Sequence, residues 1–253
     1  MAIKMVVTDL DRTLLRRDQS LSEYSISVIK KLREKGIYFT PATARPENAV
    51  LGYIKGLECD HAVYFNGARI KFSDGSTEYF GFASDTAAEI CADILRDIPS
   101  RKLAVEIGDR LYSNFDITEI WPDIKYIHSD FTDLPEGISE KVLLPIQPSE
   151  GFDYSRYLPP ELYIQVSESI LAMVLNRKAT KLNGIKSICK KMGISLDDVA
   201  AFGDDLNDSE MLASCGCGIA VSNALDEVKK AADIICLSNE EDGVADWIER
   251  HLL

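Results

Sequence analysis

The sequence predicts an α/β protein, with a doubly wound, mostly parallel sheet and an inserted α+β domain. Segments with strand periodicity and segments with helix periodicity alternate near the start of the chain, and the same alternation returns in its last third. Between these two parts lies a stretch with hairpin-like patterns. Because alternating strands and helices are typical of a parallel sheet covered by helices, we expect one such sheet, interrupted by a second domain.

The amino-terminal part is predicted to contain three strands and two helices. "IKMVVTDLD" predicts a strand, and "SLSEYSISVIKKLREKG" predicts a helix that begins with a capping box of Ser20 and Glu23. "IYFTPATA" predicts the second strand and "PENAVLGYIKGL" the second helix. "HAVYFNGA" predicts a third strand that ends at the turn-like pair Asn66-Gly67.

The carboxyl-terminal part repeats this order, and the middle differs from both. Strands are predicted at "DVAAFGD", "CGIAVS" and "DIIC", between helices that run from "KLNGIKSICKKMGI" to "GVADWIERHL". In the middle, "ARIKFSDGSTEYFGF" predicts a hairpin turning at Asp74-Gly75, and "LAVEIGDRLYSN" predicts one turning at Gly108-Asp109. These hairpins lie among helices such as "DTAAEICADILRDI", which indicates an α+β insertion.

Charge and composition exclude several classes of protein. The 253 residues are 46% hydrophobic, and 28 Lys and Arg stand against 41 Asp and Glu, for a formal net charge of −13. This charge disfavours binding to nucleic acid and to anionic membranes. No segment approaches the roughly 18 apolar residues of a membrane span, and the six cysteines show no CxxC spacing. We therefore expect a cytoplasmic protein with reduced thiols.

Two aspartates end the first predicted strand. Asp9 and Asp11, in "VVTDLDRTLL", are two residues apart, so in an extended segment their side chains point to the same side. In doubly wound sheets, ligands bind at the carboxyl ends of the strands. A single DxD pattern also fits a solvated turn, so the interpretation depends on what the other strand ends carry.

The other predicted strand ends carry complementary groups. Thr43 follows the second strand, "GDDLND" brings three more carboxylates after a later strand, and Lys181 lies at the start of the preceding helix. Two like charges about 4 Å apart repel by roughly 4 kcal/mol at an effective dielectric near 20, so clustered carboxylates need a cation. Because hard carboxylate oxygens occur here without His or Cys, the sequence predicts a Mg²⁺ site.

Several motifs, in one order over nearly the whole chain, carry a family resemblance. They are "DLDRTLL", "ATARP", "NGA", Lys181, "GDDLNDSEML", "SNALDEVKKAAD" and "EDGVADWI". With these motifs the chain resembles the haloacid dehalogenase (HAD) superfamily, and within it the Cof-type sugar-phosphatase-like hydrolases. The resemblance implies a HAD-like Rossmannoid catalytic core over residues 1–81 and 177–253. It also implies that residues 82–176 form an α/β cap of the C2B type.

The same resemblance implies roles for four residues. Asp9 would be the nucleophile that takes the phosphoryl group, and Asp11 the acid and base that serves the leaving oxygen and then water. Thr43 and Lys181 would hold the phosphoryl oxygens. These roles agree with the chemistry, because an ionised aspartate can attack an anionic phosphate when cations neutralise the phosphoryl charge.

The resemblance also implies a set of metal ligands. Mg²⁺ would be bound by Asp9, by the backbone carbonyl of Asp11 and by Asp204. Asp208 and Asn207 would be outer or alternative ligands.

Substrate contacts and two departures from the family pattern complete the expected site. Arg45, Asn66 and Gly67 would bind substrate, and Arg45 could instead hold the cap. Arg12 and Ala44 stand where the pattern usually has glycine. Arg12 loses the easy access of glycine to positive φ and adds a cation beside the site. Two interpretations remain open for it: a tolerated side chain at the entrance, or a contact with the substrate.

The expected function is a Mg²⁺-dependent phosphatase that acts on a small phosphorylated metabolite, such as a sugar phosphate, through an aspartyl-phosphate on Asp9. One alternative is a phosphomutase of the same superfamily, which steady-state release of phosphate would distinguish. Another is a non-catalytic regulatory protein that binds a phosphometabolite without turnover. We expect a monomer or weak homo-oligomer with no nucleic-acid or membrane partner.

Overall fold

The chain folds into two compact units. The computed structural model describes residues 2–54, 56–122, 124–147, 153–167 and 170–253. Unit 1 comprises Met1–Glu78 and Thr180–Leu253, and unit 2 comprises Tyr79–Ala179. The first unit is therefore discontinuous in the chain. The junctions fall at residues 78/79 and 179/180, while the inserted domain expected from the sequence spans 82–176.

The described residues form fifteen strands and seven α-helices. The strands are β1 Met5–Thr8, β2 Tyr38–Pro41, β3 Ala62–Tyr64, β4 Arg69–Lys71, β5 Thr77–Tyr79, β6 Phe82–Ala83, β7 Ala104–Ile107, β8 Arg110–Ser113, β9 Ile127–His128, β10 Ile138–Pro145, β11 Leu162–Ser167, β12 Leu171–Asn176, β13 Val199–Gly203, β14 Cys217–Val221 and β15 Ile234–Cys236. The helices are α1 Glu23–Glu34, α2 Glu47–Val50, α3 Ser84–Asp97, α4 Lys181–Met192, α5 Ser209–Ser214, α6 Asp226–Ala231 and α7 Gly243–Leu252. None of these helices is long and apolar enough to cross a membrane.

A five-stranded parallel sheet forms the centre of unit 1. Its strand order is β15-β14-β13-β1-β2, and every pair in it is parallel. All residues of β1 and β13 are buried, because helices pack around a parallel sheet and leave its central strands no polar face. Helix α1 packs against α7, and α5 contacts both α4 and α6. The predicted α/β architecture is thus confirmed.

Two helix predictions need correction. Helix α1 starts after Ser22, whose hydroxyl accepts a hydrogen bond from the backbone N–H of Ser25, so the predicted capping box of Ser20 and Glu23 does not form. The second predicted helix is only the four residues of α2. Glycines follow it closely, and glycine is a poor helix former.

The third predicted strand forms but pairs differently from the core strands. Strand β3 pairs with β4 in antiparallel fashion within a three-stranded sheet of order β3-β4-β5. The chain reverses there because Phe65, Asn66 and Gly67 all have positive φ. A parallel bridge from Val63 to Ala42 keeps β3 beside the end of β2.

Unit 2 is built on a mixed, mainly antiparallel sheet. Its order is β11-β12-β10-β7-β8-β9, and β6 pairs with β10. The predicted hairpin at Gly108-Asp109 joins β7 to β8, and both turn residues have positive φ. Helix α3 contributes Ile90 and Ile94 to one apolar cluster, and a second cluster includes Phe115 and Met173. Unit 2 therefore has hydrophobic cores of its own.

Candidate active site

The candidate site lies at the carboxyl edge of the parallel sheet in unit 1. Thr8, the last residue of β1, is in register with Pro41 of β2 and with Phe202 of β13. The backbone N–H of Asp9 donates to the carbonyl of Phe202 at 2.9 Å, so Asp9 begins the loop beside the end of β13. Parallel pairing therefore brings the loops after three strands to one edge.

Three of the predicted acids meet in a buried cluster. Asp9, Asp204 and Asp208 each offer an oxygen, and these three oxygens lie within 4.8 Å of one another. Burial raises the pKa of Asp9 well above its ordinary value, and it raises the pKa of Asp204 to about 6. Neighbouring carboxylates add to both effects. Without a further cation, the protein holds this cluster at an electrostatic cost.

Lys181 neutralises part of the cluster. Its Nζ lies 2.5 Å from Oδ1 of Asp9 and 2.6 Å from Oδ1 of Asp208, and the side chain is 1% exposed. Burial alone would lower the pKa of Lys181, but the two carboxylates outweigh it and raise the pKa above its ordinary value. Lys181 is the first residue of α4, whose N-cap Thr180 accepts from the backbone N–H of Asn183. Helix α4 thereby places the ammonium group of Lys181 beside Asp9 and Asp208.

Asp208 organises the loop that follows β13. Its Oδ2 accepts hydrogen bonds from the backbone N–H groups of Asp204, at 2.9 Å, and Asp205, at 3.1 Å. Its Oδ1 is engaged by Lys181, so both carboxylate oxygens have partners inside the protein. Asp208 is fully buried. This side chain therefore shapes the loop that presents Asp204.

The donor set fits a hard divalent cation. The hydroxyl of Thr13 donates to Oδ1 of Asp204 at 2.8 Å, while Oδ2 of Asp204 and Oδ2 of Asp9 receive no hydrogen bond from the described residues. Three carboxyl groups against one ammonium group give the cluster a formal charge of two negative. Carboxylate oxygens without hydrogen bonds, in a cluster of net negative charge, are the ligands that hard divalent cations prefer. Asp9 and Asp204 are the residues best placed to hold one, and Asp208 orients the loop that carries Asp204.

Asp11 lies apart from this cluster. Its carboxylate receives two hydrogen bonds from Arg45, from Nε at 2.6 Å and from Nη2 at 2.5 Å. The Arg45 guanidinium also lies 4.4 Å from the ring centre of Tyr53. Burial would lower the pKa of Arg45, but the bonds to Asp11 raise it overall. Arg45 thus holds the Asp11 carboxylate in a defined, partly exposed position.

The remaining predicted residues form a second hydrogen-bonded group. Thr43 is fully buried, and its Oγ1 accepts from the backbone N–H of Arg45 at 3.1 Å. The backbone N–H of Asn66 donates to the carbonyl of Thr43 at 2.8 Å, and Nδ2 of Asn207 donates to Oδ1 of Asn66 at 3.0 Å.

A Cβ on Gly67 would lie 2.2 Å from the carbonyl oxygen of Thr180, so only glycine fits there. Gly67 thereby allows the close approach of the residue that caps α4.

Sequence reasoning assigned no individual role to three residues that support the site. Thr13 bonds Asp204, Tyr53 stacks with Arg45, and Nδ2 of Asn223 donates to the carbonyl of Arg12 at 2.7 Å. Thr13 and Asn223 lie inside the quoted motifs "DLDRTLL" and "SNALDEVKKAAD", which was the available signal. For Tyr53 we find no sequence signal.

Comparison with known proteins is consistent with this geometry. The family model of haloacid dehalogenase-like hydrolases matches residues 6–248. The 5-amino-6-(5-phospho-D-ribitylamino)uracil phosphatase YitU of Bacillus subtilis is 26% identical over 269 residues, covering 98% of this chain and 97% of that protein. A second phosphatase of that name from the same organism, YcsE, is 25% identical over 252 residues, covering 99% and 96%.

Solved structures agree with the fold. A protein from Geobacillus kaustophilus superposes with a TM-score of 0.87 at 25% identity, covering 98% of each chain. A haloacid dehalogenase-like hydrolase from B. subtilis superposes with a TM-score of 0.82 at 24% identity, covering 99% of this chain and 100% of that one.

The chain belongs to the haloacid dehalogenase-like hydrolases. Within them it is a Cof-type phosphatase, that is, a phosphoric monoester hydrolase that acts on phosphorylated metabolites.

Proposed function

We propose that the protein is a Mg²⁺-dependent phosphatase that hydrolyses a small phosphorylated metabolite through an aspartyl-phosphate on Asp9. The observation that carries this proposal is the buried contact of 2.5 Å between Nζ of Lys181 and Oδ1 of Asp9, beside two further carboxylates. An ammonium group at this position can neutralise a phosphoryl oxygen next to the attacking carboxylate. Bound Mg²⁺ would supply further neutralisation of the phosphoryl charge.

The first half of the proposed reaction uses Asp9 and Asp11. A carboxylate oxygen of Asp9 forms a bond to phosphorus while the bond from phosphorus to the leaving oxygen breaks. Asp11 gives that oxygen its proton after taking up a proton itself, which requires it to release one of its two hydrogen bonds from Arg45. Lys181 and the hydroxyl of Thr43 hold the phosphoryl oxygens. In the second half, a water oxygen attacks phosphorus, Asp11 accepts the water proton, and Asp9 is released as a carboxylate.

Arg45 has a positioning role in this scheme. The two hydrogen bonds from its guanidinium fix both oxygens of Asp11 and keep that carboxylate away from the buried acids. Asp9 and Asp11 can then perform different tasks although they are two residues apart. Asn66 and Gly67 support Thr43 and α4 and are proposed to contact substrate from the same edge.

The metal is proposed to be Mg²⁺, held by Asp9, by the backbone carbonyl of Asp11 and by Asp204. The all-oxygen donor set and the net negative charge of the cluster support this choice over zinc or copper. Asp208 and Asn207 are assigned outer positions, and the hydrogen bonds of Asp208 inside the protein support that assignment.

The substrate is proposed to be a sugar phosphate or a related compound. Two curated relatives are phosphatases of a ribityl phosphate, and a phosphorylated polyol, whose leaving group is an alcohol, is the kind of substrate that this proposal requires. Residues 82–176 are proposed to form the cap domain, which selects the leaving group and excludes water, and residues 1–81 and 177–253 are proposed to form the catalytic core. We propose a cytoplasmic monomer or weak homo-oligomer; the six free cysteines support a reducing compartment.

The different roles proposed for Asp9 and Asp11 can be tested directly with p-nitrophenyl phosphate as substrate. Its leaving group needs little acid catalysis, so Asp11→Asn should still release a burst of about one nitrophenol per site and then turn over slowly. Asp9→Asn should give no burst. The wild type should release inorganic phosphate continuously, and EDTA should abolish that release until Mg²⁺ is added.

Three results would contradict the proposal. Both variants could lack a burst, the wild type could remain active without metal, or ³²P could fail to label Asp9 in the Asp11→Asn variant. Binding of phosphometabolites without turnover would instead favour a regulatory protein. Return of the phosphoryl group to an intermediate, without steady-state release of phosphate, would favour a phosphomutase.

A further inference from the structure

Arg12 has a backbone conformation that ordinarily belongs to glycine. Its φ is 60° and its ψ is 6°, within the left-handed region. A side chain is disfavoured there because Cβ crowds the following carbonyl oxygen. Glycine would adopt the same conformation without that penalty. The arginine side chain is therefore present at a conformational cost.

Contacts of the backbone, and not of the side chain, hold Arg12 in place. Its carbonyl oxygen accepts a hydrogen bond from Nδ2 of Asn223 at 2.7 Å, and Oδ1 of Asn223 accepts from the backbone N–H of Asn239 at 3.0 Å. The neighbouring Thr13 is anchored by its bond to Asp204. Glycine at position 12 would keep all these contacts, so the loop does not depend on the guanidinium.

The guanidinium of Arg12 has no partner in the part of the chain that the structure describes. The side chain is exposed, and no ion pair, hydrogen bond or ring contact joins it to the described residues. It thus differs from the other two cations of the site. Lys181 is committed to Asp9 and Asp208, and Arg45 is committed to Asp11.

The charge around Arg12 indicates what it can bind. The two catalytic loops carry five aspartates, and their only paired cations among the described residues are Lys181 and Arg45. The five residues are Asp9, Asp11, Asp204, Asp205 and Asp208. A substrate with a second anionic group would be repelled by this excess of carboxylates. Arg12, between Asp11 and Thr13, places an uncommitted cation in the same loop to offset that repulsion.

We propose that Arg12 binds a second anionic group on the substrate, a carboxylate or a further phosphate on the part that leaves. This inference rests on the proposed phosphatase function and narrows its substrate class to phosphate esters that carry an additional negative charge. The planar guanidinium suits either group because it can donate two parallel hydrogen bonds to their oxygens.

Calorimetric titration with stable phosphonates tests the inference without requiring turnover. The probes are methylphosphonate, which has one anionic group, and phosphonoacetate and 3-phosphonopropionate, which add a carboxylate. In the presence of Mg²⁺, the wild type should bind the better of the two carboxylated probes roughly tenfold more tightly than methylphosphonate. Arg12→Gly should reduce this ratio to about twofold or less, and Arg12→Lys should give an intermediate ratio, because an ammonium group keeps the charge but not the paired geometry.

Arg17→Ala is the matched control. Arg17 is an exposed arginine five residues further along, and its removal changes the net charge equally. The binding ratio should stay at its wild-type value in this variant. Circular dichroism would verify that each variant is folded.

Equal affinity of the wild type for all three probes would overturn the inference, and so would a carboxylate preference that survives in Arg12→Gly. An equal loss of preference in Arg17→Ala would also overturn it, since the effect would then be one of net charge. Hydrolysis of p-nitrophenyl phosphate by the wild type tests the phosphatase proposal separately. Failure of the Arg12 inference is therefore distinguishable from failure of the phosphatase proposal.

Discussion

Lys181 shows how single residues hold this site together. Its ammonium group is buried between two carboxylates, and each of the three charges would be costly to bury alone. Removing one partner leaves the others uncompensated, which is more damaging than the loss of an exposed ion pair.

We therefore expect Lys181→Met to lower the free energy of unfolding by about 3–5 kcal/mol in metal-free buffer, as measured by urea denaturation. Lys191→Met is the control, because the ammonium of Lys191 pairs with Asp74 on the surface. It should cost about 1 kcal/mol or less. Similar losses in the two variants would show that the buried cluster is not held by Lys181.

The buried position of His61 leads us to expect that the free energy of unfolding depends on pH, independently of catalysis. Its ring is buried beside Tyr38 and Phe72, and Nδ1 accepts a hydrogen bond from the backbone N–H of Ser73 at 3.2 Å. Burial lowers the pKa of His61, against the opposing effect of Asp60 and other nearby carboxylates.

The unfolded chain therefore binds this proton more readily than the folded protein does. The contribution of His61 to stability is complete above its unfolded pKa of about 6.5 and is lost as the pH falls toward the lower folded pKa. His61→Asn keeps an acceptor for Ser73 and cannot titrate. Urea denaturation at about pH 7.5 and about pH 5.5 should show a smaller loss of stability in the variant than in the wild type; an equal loss would contradict the assignment.

At the scale of elements, helix α4 is placed by a close approach to β3. A Cβ on Gly184 would lie 2.6 Å from Cγ1 and 2.8 Å from Cγ2 of Val63, closer than real contacts allow. The same helix begins with Lys181, so its distance from β3 sets the position of the ammonium group.

Gly184→Ala should destabilise the protein by about 1–3 kcal/mol through overpacking, in spite of a gain in helix propensity of about 1 kcal/mol. It should also lower phosphatase activity, because a displaced α4 moves Lys181. Gly52→Ala is the control, since an added Cβ there has no neighbour within 4 Å, and its effect should stay within about 0.5 kcal/mol. Thermal unfolding and turnover of p-nitrophenyl phosphate measure both effects. A more stable Gly184→Ala variant would refute the close approach.

At the scale of the whole molecule, unit 2 has hydrophobic clusters formed by its own residues. Unit 2 encloses its own apolar clusters between its sheet, α3 and residues 115–121 and 124–126. We expect a fragment of residues 79–179 to fold alone and to unfold cooperatively in urea. Leu144→Ala in this fragment should cost about 2–5 kcal/mol, because Leu144 is fully buried in its core. A non-cooperative transition, insensitive to Leu144→Ala, would show that unit 2 needs the rest of the chain.

The sequence by itself determined the alternation of strands and helices, the hairpin at Gly108-Asp109, and the residues at the ends of the core strands. These features depend on local periodicity and turn chemistry, which neighbouring residues encode directly. The sequence also predicted that Asp9 and Asp204 lie close together. Each follows a strand of the parallel sheet, and parallel strands end at the same edge of a sheet.

Only the tertiary structure decided which partner each polar group takes. Asp208 turned inward to Lys181 and to two backbone N–H groups, Asp11 turned to Arg45, and Asn207 turned to Asn66. The N-cap of α1 at Ser22 and the antiparallel pairing of β3 with β4 were likewise not evident from the pattern. The physical reason is that a hydrogen bond or ion pair between residues distant in the chain depends on where the packed elements place their atoms. Periodicity specifies which face a residue occupies, but it carries no information about which group lies opposite.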